Sequence, residues 1–209
     1  NIRIVGAPID RARSAEDNPQ SMPDTAHLIN ITGNVLGSQS HAVDLRHASR
    51  ITIAGNSIYD SADLSIRATH CRGLAIGANT FGWRCVDAEP PKDGLLFEDC
   101  DNVVVHGLAA ERFCAGSPAT GAAVTFRRCR DSSLSDSNIL DPLHRGVELE
   151  DCLRCRVVNN TIVDRRKQPR MAAAIRVRGA SRDNIVAGNL VGGTLGDPIQ
   201  ADPATDDIR

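Results

Sequence analysis

Acidic and basic side chains crowd together at regular offsets in this chain. Glu148, Glu150 and Asp151 stand within one short segment, and Arg176 and Arg178 repeat the i, i+2 spacing further on, with Lys167 and Arg170 between them. Upstream, Glu98 and Asp99 are followed by Arg127 and Arg128. Residues two apart share one face of an extended strand. Carboxylates beside cations on one face are the raw material of acid–base chemistry. The same alternation also stabilises neighbouring strands by a few tenths of a kcal/mol per pair, about what exposed pairs supply. His144-Arg145, just before Gly146, offers a base or a ligand. His47 and His70 have no third metal ligand nearby, and Cys152 and Cys155 form a lone C-x-x-C without the second pair a zinc site needs.

The elements that position these groups repeat. An apolar-x-apolar-x-x-(Ala/Cys) pattern recurs at Ile2-Ile4-Ala7, Val43-Leu45-Ala48, Ile66-Ala68-Cys71, Leu95-Phe97-Cys100, Val124-Phe126-Cys129, Val147-Leu149-Cys152 and Ile175-Val177-Ala180. A second apolar pair and a polar column follow, as in Ile51-Ile53-Asn56, Leu74-Ile76-Asn79 and Cys155-Val157-Asn160, and then one more apolar residue (Ile58, Phe81, Ile162). The polar column steps by 22 residues from Asn34 to Asn56, by 23 from Asn56 to Asn79 and by 29 from Asn160 to Asn189. Self-similarity at this period implies stacked coils, and alternation within each coil is the strand period. Three short strands per turn predict an all-β fold: a single-stranded right-handed parallel β-helix of about seven coils. At ~4.8 Å per coil the rod is roughly 34 Å tall. No regular Leu repeat and no long 3.6-period segment supports a leucine-rich or helical solenoid.

In this register the first strand is Val43–Leu45 with its equivalents, the second Ile51–Ile53 and the third Ser57–Tyr59. Asn34, Asn56, Asn79, Asn160 and Asn189 fall in the turn between the second and third. Asn suits that turn because it tolerates left-handed backbone, and because stacked amides bond one coil to the next. Leu108 and Ser137 depart from the column. Residues 1–195 are expected to form the β-helix and 196–209 a polar tail. Because the chain starts at Asn1 inside a coil, an N-terminal coil or cap is expected to precede it in a longer chain.

Composition fits a narrow core: 41% of residues are hydrophobic but only 3% aromatic. A net charge of −2 gives no electrostatic case for nucleic acid or anionic membrane, and no apolar run reaches membrane-spanning length. Of the seven cysteines, Cys71, Cys100, Cys129 and Cys152 fall in one inward column, where their parallel Cβ vectors oppose pairing; free buried thiols are expected. Cys85 and Cys114, in neighbouring loops, are the candidate disulfide.

The longest connections (segments 82–93, 111–122, 141–146 and 164–173) all join a third strand to the next first strand, and segment 8–28 leaves the first strand of the first coil. Loops walling one face of a rigid scaffold commonly carry its binding site. The outward rows on that face are Asp44, Arg67, Leu96, Thr125, Glu148 and Arg176; then Arg46, Thr69, Glu98, Arg127, Glu150 and Arg178; then His47, His70, Asp99, Arg128, Asp151 and Gly179.

Coil pattern, Asn ladder and loop-bordered first sheet together resemble the right-handed parallel β-helix proteins of the pectate-lyase-like superfamily. Asn160 to Arg170 resembles the pectate lyase segment in which an Asn-containing strand leads into R-x-P-x-x-R, with Lys167 and Ala172 where that motif has its arginines. The family's W-I-D-H motif is absent. Ala174 to Gly179, followed by Asn189, looks like coils of alginate lyases and chondroitinase-B-like enzymes.

What the resemblance implies is a secreted or periplasmic lyase acting on an acidic, uronate-containing polysaccharide. Such an enzyme removes the C5 proton beside the carboxylate and expels the O4 substituent. Calcium on Glu148, Glu150 and Asp151 would neutralise the substrate carboxylate. Lys167, Arg170, Arg176 and Arg178 are the candidate catalytic residues, a base with neighbouring cations to lower its pKa. Trp83, Arg127, Arg128 and His144 are the candidates for substrate binding, Trp83 by stacking on a sugar ring. Two alternatives remain open. A glycoside hydrolase would use Glu98 and Glu150, ~9.6 Å apart across two coils, although Arg127 falls between them. A non-catalytic carbohydrate-binding or adhesin-type scaffold needs no site chemistry at all.

Overall fold

A computed structural model describes residues 2–6, 26–82, 92–203 and 206–208. Every strand in it pairs parallel with the equivalent strand one coil away. The first sheet stacks Ile2–Val5, His41–Arg46, Leu64–Thr69, Leu95–Glu98, Val124–Arg127, Arg145–Glu150, Ala173–Arg178 and Ile199–Ala201. The second runs from Ala26–Thr32 through Ala48–Ala54 and five more strands to Asp206–Ile208. The third runs from Val35–Gly37 through Ser57–Tyr59 to Leu190–Gly192. The chain therefore winds as a three-sheet parallel β-helix.

Along the first sheet the expected register holds as far as Val177; Ala180, expected inward, is exposed, and Ser181 takes the buried place after Cys152 because the turn at Gly179 is one residue longer. Arg127 lies between Glu98 and Glu150, and Arg178 follows Glu150. Thr125 likewise lies between Leu96 and Glu148, with Arg176 beyond. The expected inward columns form the core. Val43, Ile66, Leu95, Val124, Val147 and Ile175 are fully buried, and Phe97 stacks on Phe126 with ring centroids 5.0 Å apart. Cys71, Cys100, Cys129, Cys152 and Cys155 are buried free thiols. The Sγ–H of Cys100, Cys129 and Cys152 reaches a carbonyl in the previous coil: Ala68, Phe97 and Phe126. Cys114 is also free, and Cys85 lies outside the described residues, as does Trp83.

Two further details differ from expectation. The left-handed position of the second turn is the residue before the polar column (Gly55, Ala78, Gly107, Asn159), not the column itself. The column's Asn residues act instead as amides. Asn56 Nδ2–H donates to Asn79 Oδ1 at 2.9 Å and to Ile31 O, and Asn160 Nδ2–H donates to Asn189 Oδ1 at 3.0 Å. Ser137 continues the ladder with its hydroxyl, accepting from Leu108 N–H and passing its own N–H to Asn160 Oδ1. Residues 196–209, expected as a tail, include two strands that extend the first and second sheets. Their hydrogen bonds are to backbone, so low apolar content does not prevent them from pairing.

The left-handed row at the corner between first and second sheets is His47, His70, Asp99, Arg128 and Asp151, with φ between 49° and 54°, ending at Gly179. Such backbone aims these side chains away from the sheet face, at its rim.

Candidate functional site

The outward face of the first sheet carries a charge ladder, and the ladder is closed on itself. Arg127 Nε donates to Glu150 Oε2 at 2.7 Å, and its Nη1 reaches Glu98 Oε1 at 3.5 Å. Arg178 Nη2 takes the other oxygen of Glu150 at 2.7 Å. Arg128, on the rim, bonds Glu98 Oε1 and Asp99 Oδ1, both at 2.7 Å. Its hydrogen bonds hold the Asp99 carboxyl below the usual carboxylate range, and the bond Arg127 donates to Glu150 raises Arg127 above its ordinary value. Both groups are therefore ionised at any working pH. Arg127 fills the space between Glu98 and Glu150, where an inverting hydrolase pair would hold its substrate bond and water.

Glu148, one row over, is fully buried. Its Oε1 accepts from Gly121 N–H at 2.8 Å and its Oε2 from Arg176 Nε at 2.8 Å. Asp151 sits in the rim turn, where Oδ1 caps Ala180 N–H at 2.9 Å. The three carboxylates expected to hold calcium thus point to three places. Those of Glu148 and Glu150 have both oxygens engaged. Among the described residues no three His, Cys, Asp or Glu side chains converge as a metal site requires. The donor set does not fit the ion, so no step is routed through it.

The basic candidates are also divided. Arg176 serves Glu148 and Arg178 serves Glu150, whereas Lys167 and Arg170 are exposed on the 164–172 loop. That loop is built around a residue the sequence did not single out. Asp164, its side chain wholly buried, accepts from Arg166 Nε and Nη2 at 2.7 Å and from the N–H groups of Arg166, Arg170 and Met171. Burial opposes its ionisation, but these donors win and bring the carboxyl down to about 2. Asp141 is held low in the same way, against burial, by Arg165. His144 is half-buried at the start of its coil, where burial and then the Arg145 charge push its pKa down.

A cleft of about 300 Å³ opens where loop 115–122 faces the two preceding coils. Leu64, Leu96 and Thr125 line it, with Asp63, Lys92 and Arg127 supplying charge. Of the expected binding residues that are described (Arg127, Arg128 and His144), only Arg127 lines it. At its edge Asp93 is buried, and accepts from Ser61 N–H at 2.8 Å and Ser65 Oγ–H at 2.9 Å. Burial pushes that carboxyl up. Lys92 and Asp63 occupy loop positions that strand alternation cannot rank, so the sequence held no signal for them. Asp164 was legible only as a conspicuous Asp before an arginine run.

Comparison with known proteins bears on the fold. No curated protein is similar to the chain in sequence. Among solved structures, the mannuronan C-5 epimerase AlgE4 A-module of Azotobacter vinelandii is 16% identical with a TM-score of 0.40. The alignment covers 87% of this chain, which spans 58% of that module. A putative glycosyl hydrolase from Parabacteroides merdae is 10% identical with a TM-score of 0.39, covering 88% of this chain and 82% of the other. The family described as a right handed beta helix region matches residues 22–191, the span that holds the coils, the ladder and the cleft. This chain belongs to that right-handed β-helix family.

Proposed function

We propose that this β-helix binds an acidic polysaccharide along the outer face of its first sheet and cleaves it by β-elimination. The observation carrying this reading is the cleft. It sets Lys92 and Arg127 over an apolar floor of Leu64 and Leu96, in a volume of about 300 Å³. A sugar ring has apolar faces, and a uronate has one carboxylate beside its hydroxyls, so an apolar floor with two cations and the Asp63 acceptor is complementary to it. Arg127, fixed by Glu150 and Glu98, is a preorganised cation able to neutralise the substrate carboxylate as the C5 proton leaves. Lys92 is the amine this geometry offers as base. Lys167, three long loops further along the chain, is the alternative.

A second reading has its own support. The acidic and basic groups of the sheet are spent largely on one another, as a non-catalytic binding scaffold would have them.

Incubation with polygalacturonate, alginate and chondroitin separates the two, following ultraviolet absorbance of the unsaturated uronate product. A rise that Lys92→Ala reduces by about 10²–10⁴, the usual worth of a general base, supports cleavage in the cleft. Polymer retardation in affinity electrophoresis without absorbance supports the scaffold. Neither signal on any polymer would overturn the polysaccharide reading itself.

A further inference from the structure

Residues 116–121 form a short strap over the first sheet. Its neck is Gly116 and Gly121, at φ +91° and +81°, packed so closely that a Cβ on Gly116 would lie 2.7 Å from the Gly121 carbonyl carbon. Only residues without side chains allow this approach. The turn above the neck is closed by Ser117 N–H donating to Thr120 O at 2.8 Å and Thr120 N–H donating to Ser117 Oγ at 3.1 Å. Its tip, Pro118 and Ala119, is exposed.

Beneath the strap lie Arg145, 5% exposed, Glu148, 0% exposed, and Arg176, whose side chain is 14% exposed. Their partners are mostly strap backbone. Arg145 Nη1 donates to Ser117 O at 3.0 Å and Nη2 to Pro118 O at 2.7 Å, and Arg176 Nη2 donates to Ala119 O at 2.8 Å. Among the described residues Glu148 supplies the negative charge. Arg145 Nε is buried with no hydrogen-bond partner. Two guanidiniums thus share one carboxylate in a covered site. Burial first, and then the neighbouring Arg176 charge, weaken the hold of Arg145 on its proton. A site that buries excess positive charge and an unpaired N–H is short of one anion.

We infer that Arg145 and Arg176 form a carboxylate-binding subsite which the strap covers with its own carbonyl oxygens, and that an anionic sugar displaces the strap to reach it. The choice of an anionic sugar rests on the polysaccharide reading above. Hydrogen bonds from guanidinium to carboxylate are about twice as strong as those to neutral oxygens, so the exchange favours the ligand. Only polar contacts to backbone hold the tip, and the glycine neck lets it swing.

The test is amide hydrogen exchange of the whole protein with glucuronate, with glucose, and with sodium chloride at matched ionic strength. Glucuronate is expected to speed exchange at Thr120 and Gly121 about tenfold, the others to leave it unchanged. Ser117→Ala, which loosens the turn, is expected to tighten glucuronate binding about fivefold by making opening easier. Arg176→Gln is expected to abolish the response. Unchanged exchange at high glucuronate, or equal acceleration by glucose, overturns the inference. Polymer binding that needs Arg127 while strap exchange stays indifferent also overturns it and leaves the polysaccharide reading standing. Strap opening by glucuronate without binding of any polymer supports the subsite and removes that reading.

Discussion

The strap at 116–121 and the loop at 164–172 both connect a third-sheet strand to the next first-sheet strand, yet they are built on opposite charges. The 164–172 loop gathers around one buried carboxylate. Asp164 receives one guanidinium and three backbone N–H groups, so its charge is balanced and its oxygens are filled. The strap gathers over two guanidiniums and one carboxylate, with carbonyl oxygens making up the difference. A carboxylate bonded by N–H groups of its own loop makes that loop a fixed wall. Cations held by a loop's carbonyls make the loop a cover that a better anion can replace.

Asp164→Ala should have the largest effect on this contrast. It leaves the Arg166 guanidinium and three backbone donors without their acceptor, at a cost of about 3–5 kcal/mol in urea unfolding. A loss below about 1 kcal/mol would mean that the acid does not hold the wall.

Glu148→Gln should cost less, about 2–3 kcal/mol, because the amide keeps one acceptor for Gly121 N–H while leaving two arginines unneutralised. Should anion binding beneath the strap be real, glucuronate should restore more thermal stability to this variant than to the parent.

Acid sharpens the comparison next. The Asp164 carboxyl titrates at about 2 when folded against an ordinary 3.8, so the unfolded chain takes up the proton first. Its contribution is complete above pH ~5 and is lost as pH falls toward 2; a lowering of this size corresponds to on the order of 2 kcal/mol. The stability gap between parent and Asp164→Asn should therefore shrink on acidification. A gap that stays constant with pH would show that the charge is not what matters.

Arg128→Ala should do least, below about 1 kcal/mol in thermal unfolding, since its half-exposed pairs with Glu98 and Asp99 are screened by water. A larger loss would place the rim, rather than the loops, among the structural supports.

Much of the frame was legible in the residues. Apolar alternation assigned Phe97, Phe126 and the cysteine column to the interior, and the repeat period paired Glu98 with Arg127 and Glu150 with Arg178 across coils. The polar column was legible as a ladder, although its left-handed turn residue was placed one position late. Alternation sees which side of a strand a residue faces, not the dihedral of the turn beside it. Glu148 and Arg176 were picked out as chemistry, but the strap folded over them could not be foreseen. Arg145, Asp93 and Asp164 carry no local mark of burial: Arg145 and Asp93 meet partners from the preceding coil, and Asp164 is enclosed by the folded path of its own loop.

The sequence by itself determined the coil: its period, its three strands, its inward columns and the rows that meet across coils. All of these follow from a side-chain alternation of two and a repeat long enough to stack. The tertiary structure alone decided which charges are free for a ligand and which are already spent. That outcome depends on loop paths fixed by contacts between residues one or two coils apart, where low dielectric and full hydrogen bonding turn a surface charge into a buried partner.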